Sequence, residues 1–175
     1  MASFDYDVIV IGSGAGGSVA AQQIAKSGKS VALVEASSLG GQVLNHSSIP
    51  TKALLHAASA FETAKRGSAF GIRATTVGYN YPSVKAWKDT VLRLTKKAYS
   101  EDTFISQGIS VIKGKAYFLD NQTISIGSAR FTAKDFVIAT GSDLVLPEIA
   151  GLSKAGFLTH KEAIDLIRPP KNLAV

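Results

Sequence analysis

The sequence has 175 residues, enough for one domain with a sizeable core, and its 46% apolar content is that of a folded chain, not a disordered one. It contains no cysteine, which excludes disulfides, thiolate metal sites and thiol nucleophiles within the chain. The net charge of +6 raises the question of nucleic acid, but the densest basic stretch, Lys85, Lys88, Arg93, Lys96 and Lys97, has no interleaved aromatics or nucleic-acid motif and reads as a solvated helix face.

In chain order, Asp7-Val8-Ile9-Val10-Ile11 is a β-branched run ending in Gly12, the pattern of a strand buried on both faces of a parallel sheet. A helix rich in small residues is predicted from about Gly16 to Lys26, ended by Gly28, and Val31 to Glu35 is a second buried strand. Strand, helix and strand make a βαβ unit with a right-handed crossover. After the Gly40–Gly41 turn, Pro50 predicts an irregular start and a regular helix from about Thr51 to Lys65. A loop with Gly67, Gly71 and Gly78 follows, then a long helix from about Ser83 to Ser106, stopped by Gly108. Ile109 to Ile112 is strand again. From Lys115 to Phe131, apolar and polar residues alternate around turns at Asp120-Asn121 and Gly127-Ser128, the signature of a small antiparallel meander. Phe136 to Gly141 returns to the buried-strand pattern. A short helix over His160–Ile167 and a stiff Arg168-Pro169-Pro170-Lys171 linker lead to Asn172–Val175, which reads as the opening of another strand.

Gly12-Ser13-Gly14-Ala15-Gly16-Gly17 satisfies G-x-G-x-x-G in its required place, after a strand and before a helix. Gly12 permits the tight turn, Gly14 lets backbone approach a pyrophosphate, and Gly17 lets the helix pack on the sheet. The N–H groups at the helix start, around Ala15 and Gly16, then face phosphates, helped by the helix dipole. Glu35 ends the next strand and can accept hydrogen bonds from a ribose, while its charge would repel a 2′-phosphate. The net positive charge also suits an anionic dinucleotide. This fingerprint does not separate FAD from NAD. His46, His56 and His160 lack metal-ligand spacing and read as ordinary polar positions, so no metal is expected. No stretch approaches the ~18–20 apolar residues of a membrane span, and the expectation is a soluble cytoplasmic protein with no membrane or nucleic-acid partner.

Gly40-Gly41-Gln42-Val43-Leu44-Asn45-His46-Ser47-Ser48-Ile49-Pro50-Thr51-Lys52 resembles the active-site segment of the pyridine nucleotide–disulfide oxidoreductases, the family of dihydrolipoamide dehydrogenase and mercuric reductase. The family pattern is roughly G-G-x-C-x-N-x-G-C-x-P-[ST]-K. This sequence keeps Gly40, Gly41, Asn45, Pro50, Thr51 and Lys52, but has Val43 and Ser48 where the redox cysteines stand and Ser47 for a glycine. Asp5 to Gly12 is similar to the family's opening strand, and Lys113-Gly114-Lys115-Ala116 resembles its adenine-side segment. Ala139-Thr140-Gly141-Ser142, followed by Leu146-Pro147, resembles its motif beside the FAD.

The resemblance implies FAD as cofactor, held by Gly12, Gly14, Ala15, Gly16, Gly17 and Glu35, by Gly40, Gly41 and Gln42, by Lys115 and Ala116, and by Ala139, Thr140, Gly141 and Ser142. Lys52 would lie beside the flavin and favour negative charge on the reduced ring; a solvent-facing lysine is the alternative, since its partner glutamate comes from another domain in the family. Ser48 has no visible activating triad and reads as a polar helix residue. The expected fold is α/β: a mostly parallel Rossmann-type sheet with helices on both faces and an appended antiparallel meander. Residues 1–168 are expected to form the N-terminal, incomplete part of an FAD-binding domain. Residues 169–175 are expected to be a linker and the start of an NAD(P)-binding domain, with NAD(P)H as co-substrate and homodimerisation through a further C-terminal domain. Two functions remain open: a piece of an FAD-dependent NAD(P)H oxidoreductase without the dithiol, or a non-catalytic or split nucleotide-binding module.

Overall fold

Val8, Ile9 and Val10 are buried along β1 (Tyr6–Ile11), a central strand of a six-stranded sheet. The computed structural model describes residues 4–73 and 76–175. After β1 come α1 (Ala15–Lys26), β2 (Val31–Glu35), α2 (Gly41–Asn45), α3 (Ser48–Lys65), α4 (Tyr81–Lys96), α5 (Glu101–Ser106), β3 (Ile109–Lys113), β4 (Ala116–Phe118), β5 (Thr123–Ile126), β6 (Ala129–Ile138), α6 (Leu152–Ala155) and α7 (His160–Ala163). Short 3₁₀ segments lie at Gly67–Phe70 and Lys97–Tyr99. The chain forms two compact units, one of residues up to Asn45 with Thr95–Leu146, the other of His46–Leu94 with Pro147–Val175.

The first unit holds the whole sheet, in the order β3-β2-β1-β6-β5-β4. β3, β2, β1 and the second half of β6 run parallel. Because successive strand residues point to opposite faces, the β-branched runs build two separate cores. Val8, Val10, Val31, Leu33 and Ile109 point one way, onto Ala21 of α1 and Phe104 of α5. Ile9, Ala32 and Val34 point the other way, with Ile124 and Ala133, and Ala116, Ile126 and Phe131 pack against them. Two helices thus share one face, and side chains of the meander cover the other. This is an α/β fold of Rossmann type with an antiparallel extension.

In the second unit α3 begins at Ser48, three residues ahead of the expected Thr51. Pro50 is accommodated in its first turn, where a backbone N–H has no intrahelical acceptor in any case. Lys88, expected on a solvated face, is instead 1% exposed. Its Nζ lies 2.5 Å from Asp165 Oδ1 and 3.2 Å from Asp89 Oδ1, and donates to the Ile164 carbonyl. Burial works against the charge, yet the bonds to Asp165 and Asp89 hold the ammonium pKa above its ordinary value. The basic run is therefore partly an internal tie between α4 and the segment after α7.

Other expectations change as well. The predicted helix over Ser83–Ser106 is broken into α4, a 3₁₀ turn and α5, because Ser100 turns to extended backbone and its hydroxyl caps α5 by accepting from Thr103 N–H. The meander's last strand and the returning strand are one, β6, whose residues 129–132 pair antiparallel with β5 and whose residues 133–138 pair parallel with β1. Ile138 at its end is 69% exposed, in place of the expected burial. The final helix covers only His160–Ala163, started by a Thr159–Glu162 capping box, and residues 172–175 form no strand.

The start of β1 is stitched by one carboxylate. Asp7 Oδ2 accepts from the N–H and hydroxyl of Ser30, each at 2.9 Å, and Oδ1 accepts from Lys134 at 2.5 Å. The Lys134 bond, then those of Ser30, lowers the Asp7 pKa from 3.8 to about 2. A depressed carboxylate stabilises the fold above its unfolded pKa and ceases to do so as pH falls through the folded one. Thermal melts should therefore show wild-type stability dropping between pH 3.8 and about 2 more steeply than that of Asp7→Asn. Parallel curves for the two proteins would contradict this role.

Candidate functional site

The site is built where β1 and β6 end side by side. Ala139 N–H donates to the Ile11 carbonyl at 2.8 Å, so the chain leaving β6 lies against the Gly12 turn. Gly12 has φ of 103°, and a Cβ there would stand 2.3 Å from the Ala139 carbonyl oxygen. A Cβ on Gly17 would stand 1.8 Å from the Gly12 carbonyl oxygen. Both glycines are required by the protein's own packing. Gly14 is different: nothing lies within 4 Å of its Cβ position, and it forms the N-cap of α1. Ala15 and Gly16 are exposed, and the first turn of α1 carries no acidic residue. Helix geometry leaves the N–H groups of this turn without intrahelical acceptors. The result is an open, electropositive helix start whose fit is to an anion.

Glu35, at the carboxyl end of β2, joins this turn. Its Oε2 accepts from Ser13 N–H at 2.9 Å and from the Ser13 hydroxyl at 2.6 Å, and its Oε1 accepts from Ser37 N–H at 2.8 Å. Ser13 Oγ also accepts from Gly40 N–H at 3.2 Å, and Ser18 Oγ donates to the Ser13 carbonyl at 2.5 Å. A Cβ on Gly41 would stand 2.7 Å from Gly14 Cα, so the Gly40–Gly41 turn passes directly against the glycine loop. Asn45 secures that turn by donating from Nδ2 to the Leu39 and Gly41 carbonyls at 3.1 and 2.9 Å. Sequence reasoning missed Ser13 and gave Asn45 no role. The available signal was a hydroxyl inside the glycine loop with an acid closing the next strand.

A cleft of about 390 Å³ opens at the carboxyl ends of β2 and β3, lined in part by Glu35, Ser37, Ser38, Leu39 and Lys113. Gly114 N–H donates to the Glu35 carbonyl at 2.8 Å, which brings Lys115 and Ala116 beside this end of the sheet. Ala116 opens β4 opposite Ile126, and Lys115 Nζ lies 5.4 Å from the centre of the Tyr117 ring. Thr140, Gly141 and Ser142 are exposed beyond β6. Gln42 and Val43 lie on α2, with Val43 41% exposed.

Lys52 belongs to the second unit, exposed on α3, with Ser48 as the helix's first residue. The second unit also has a cavity of about 1000 Å³, lined by His46, Lys161, Glu162, Asp165 and Arg168 among others. It is a wide depression whose carboxylates already serve Thr159 and Lys88. His56 packs against Trp87, with ring centroids 6.3 Å apart. Among the described residues no group of three or more His, Cys, Asp or Glu could hold a metal ion, and no helix is long and apolar enough to cross a membrane.

Comparison with known proteins gives the same direction as this geometry. The family model described as pyridine nucleotide-disulphide oxidoreductase matches residues 6–175. A mercuric reductase of Staphylococcus aureus is 32% identical over 171 residues, covering 98% of this chain and 31% of that protein. A mercuric reductase of Streptomyces lividans is 35% identical, over 97% of this chain and 37% of its own length. A dihydrolipoyl dehydrogenase of Geobacillus stearothermophilus is 33% identical, over 99% and 37% respectively. The chain thus spans about a third of the length of these relatives. With its parallel sheet, its glycine turn and a family match over nearly every residue, the chain belongs to the pyridine nucleotide-disulphide oxidoreductases.

Proposed function

We propose that this chain is the FAD-binding segment of an NAD(P)H-dependent flavoprotein oxidoreductase that works without a redox-active disulfide. The observation that carries the proposal is the division of labour among the glycines. Gly12 and Gly17 are closed by the protein's own backbone, whereas Gly14 faces open space at the start of α1. The open face at Gly14 leaves room for the close backbone approach that a pyrophosphate needs. The residues present therefore fit the group.

When bound, FAD supplies the ring that takes up and passes on electrons. The chain's own residues bind and orient it. The N–H groups of Ala15, Gly16 and Gly17 take pyrophosphate oxygens, and Gly14 lets backbone approach them. Glu35 accepts from the adenosine ribose, and the Ala116 backbone with Lys115 lies on the adenine side. Gly40, Gly41 and Gln42, and the Ala139–Ser142 run, line the remainder of the dinucleotide. Lys52, on the resemblance of its motif alone, would favour negative charge on a bound flavin. Val43 and Ser48 occupy the positions of the family's cysteine pair, and neither side chain can relay electrons, since the reactive form of such a relay is a thiolate. Without such a relay, the acceptor classes open to the parent protein would be a quinone, a dye, oxygen or a second nicotinamide. The same two residues favour a second reading, a nucleotide-binding module without turnover.

Two measurements test the proposal. Isothermal titration with ADP should find Glu35→Ala weaker than wild type by about 1.5–3 kcal/mol, the range for hydrogen bonds to a charged group. Equal affinities at unchanged fold would remove Glu35 from the site. Separately, the FAD-loaded protein, reduced anaerobically, should show no long-wavelength thiolate-to-flavin band. It should be reoxidised by a quinone or dye but not by lipoamide, oxidised glutathione or Hg(II). Reoxidation by a disulfide would contradict the disulfide-free reading, and failure to react with any acceptor would favour the binding module.

A further inference from the structure

Ser13 is a fully buried hydroxyl inside a loop whose logic is otherwise that of glycine. Its neighbours fix the direction of its one proton. The Glu35 carboxylate can only accept and the Gly40 N–H can only donate, so the hydroxyl donates to Glu35 Oε2 and accepts from Gly40. The Ser13 N–H donates to the same Oε2. A carboxylate has roughly four acceptor positions, two on each oxygen. Ser13 fills both on Oε2, and Ser37 N–H fills one on Oε1. One acceptor position on Oε1 is left.

A ribose diol offers two O–H donors, so Glu35 as held here has room for one. Displacing Ser13 to admit the second would leave a buried hydroxyl without an acceptor, an exchange with no net gain in hydrogen bonds. We propose that Ser13 is the positioning residue of ribose recognition, occupying Glu35 Oε2 so that the carboxylate takes a single ribose hydroxyl through Oε1. This inference rests on the assignment of Glu35 to the adenosine ribose made above and deepens it.

The test is isothermal titration of the full chain with ADP, 2′-deoxy-ADP and 3′-deoxy-ADP, for the wild type and Ser13→Ala. In the wild type, one deoxy analogue should bind roughly tenfold more weakly than ADP and the other within about twofold of it. In Ser13→Ala the freed position on Oε2 should admit both hydroxyls, so that both analogues fall below ADP. The comparison is between ligands on one protein, so a general loss of stability does not move it. Should Ser13→Ala fail to fold, the wild-type pattern alone decides. Similar losses with both analogues on the wild type, or an unchanged pattern in Ser13→Ala, would overturn the role of Ser13 while leaving Glu35 on the ribose. Equal binding of all three nucleotides, or none, would overturn the ribose assignment itself and the inference with it.

Discussion

The close approach of backbone to backbone at the end of β1 is the constraint on which the rest depends. Gly12 lets the chain turn against the Ala139 carbonyl, and Gly17 lets α1 settle onto the Gly12 carbonyl. A side chain at Gly12 would push the turn off the chain leaving β6, and one at Gly17 would push α1 off the turn, and with it Ala21 out of the core that Val8, Val10, Val31 and Leu33 share. The same approach aims the start of α1 outward between the ends of β1 and β6. In an open parallel sheet that is where the chain changes direction from one side of β1 to the other, and where ligands bind. Packing and the proposed binding thus share one turn.

Polar bonds then tie neighbouring loops to that turn. Glu35 carries β2 into it through Ser13, Gly40 joins through the Ser13 hydroxyl, and Asn45 holds the Gly40–Gly41 turn by its carbonyl. The glycine loop and the stretch from Glu35 to Gly41 thus meet through a buried serine and two glycines. The network leaves little freedom in Glu35, which suits the ribose role proposed for it. The family's thiol chemistry, by contrast, is gone from the chain altogether: it has no cysteine, and Val43 and Ser48 stand in the motif. The glycine turn of the nucleotide motif is present where the motif's cysteines are not, and the proposed direct electron exchange by a flavin rests on that combination.

Much of the fold was legible because it follows from local patterns. β-branched runs gave β1, β2 and β3, and the glycine turn with its following small-residue helix gave the βαβ unit. What escaped depends on contacts distant in sequence or on a single cap. Ser100 breaks an otherwise continuous helical pattern by capping α5, and one serine weighs little against two dozen periodic residues. β6 was divided in two because its residues change from half-exposed antiparallel to parallel pairing without a turn between them. Lys88 resembles its charged neighbours on the chain, and only Asp165, 77 residues further on, draws it inside. The glycines of the candidate site were readable from spacing alone, but Ser13 acquires its part only when Gly40 is folded back onto it.

The most direct test of the account is to map ADP onto individual backbone amides by NMR titration of the chain. The account predicts the largest chemical-shift changes at Gly14, Ala15, Gly16 and Gly17, where the N–H groups of the α1 start would meet phosphate, with a second set around Glu35 and Ala116. Changes confined to the basic residues of α4, with the glycine turn unmoved, would contradict it and return the anion affinity of this protein to general charge.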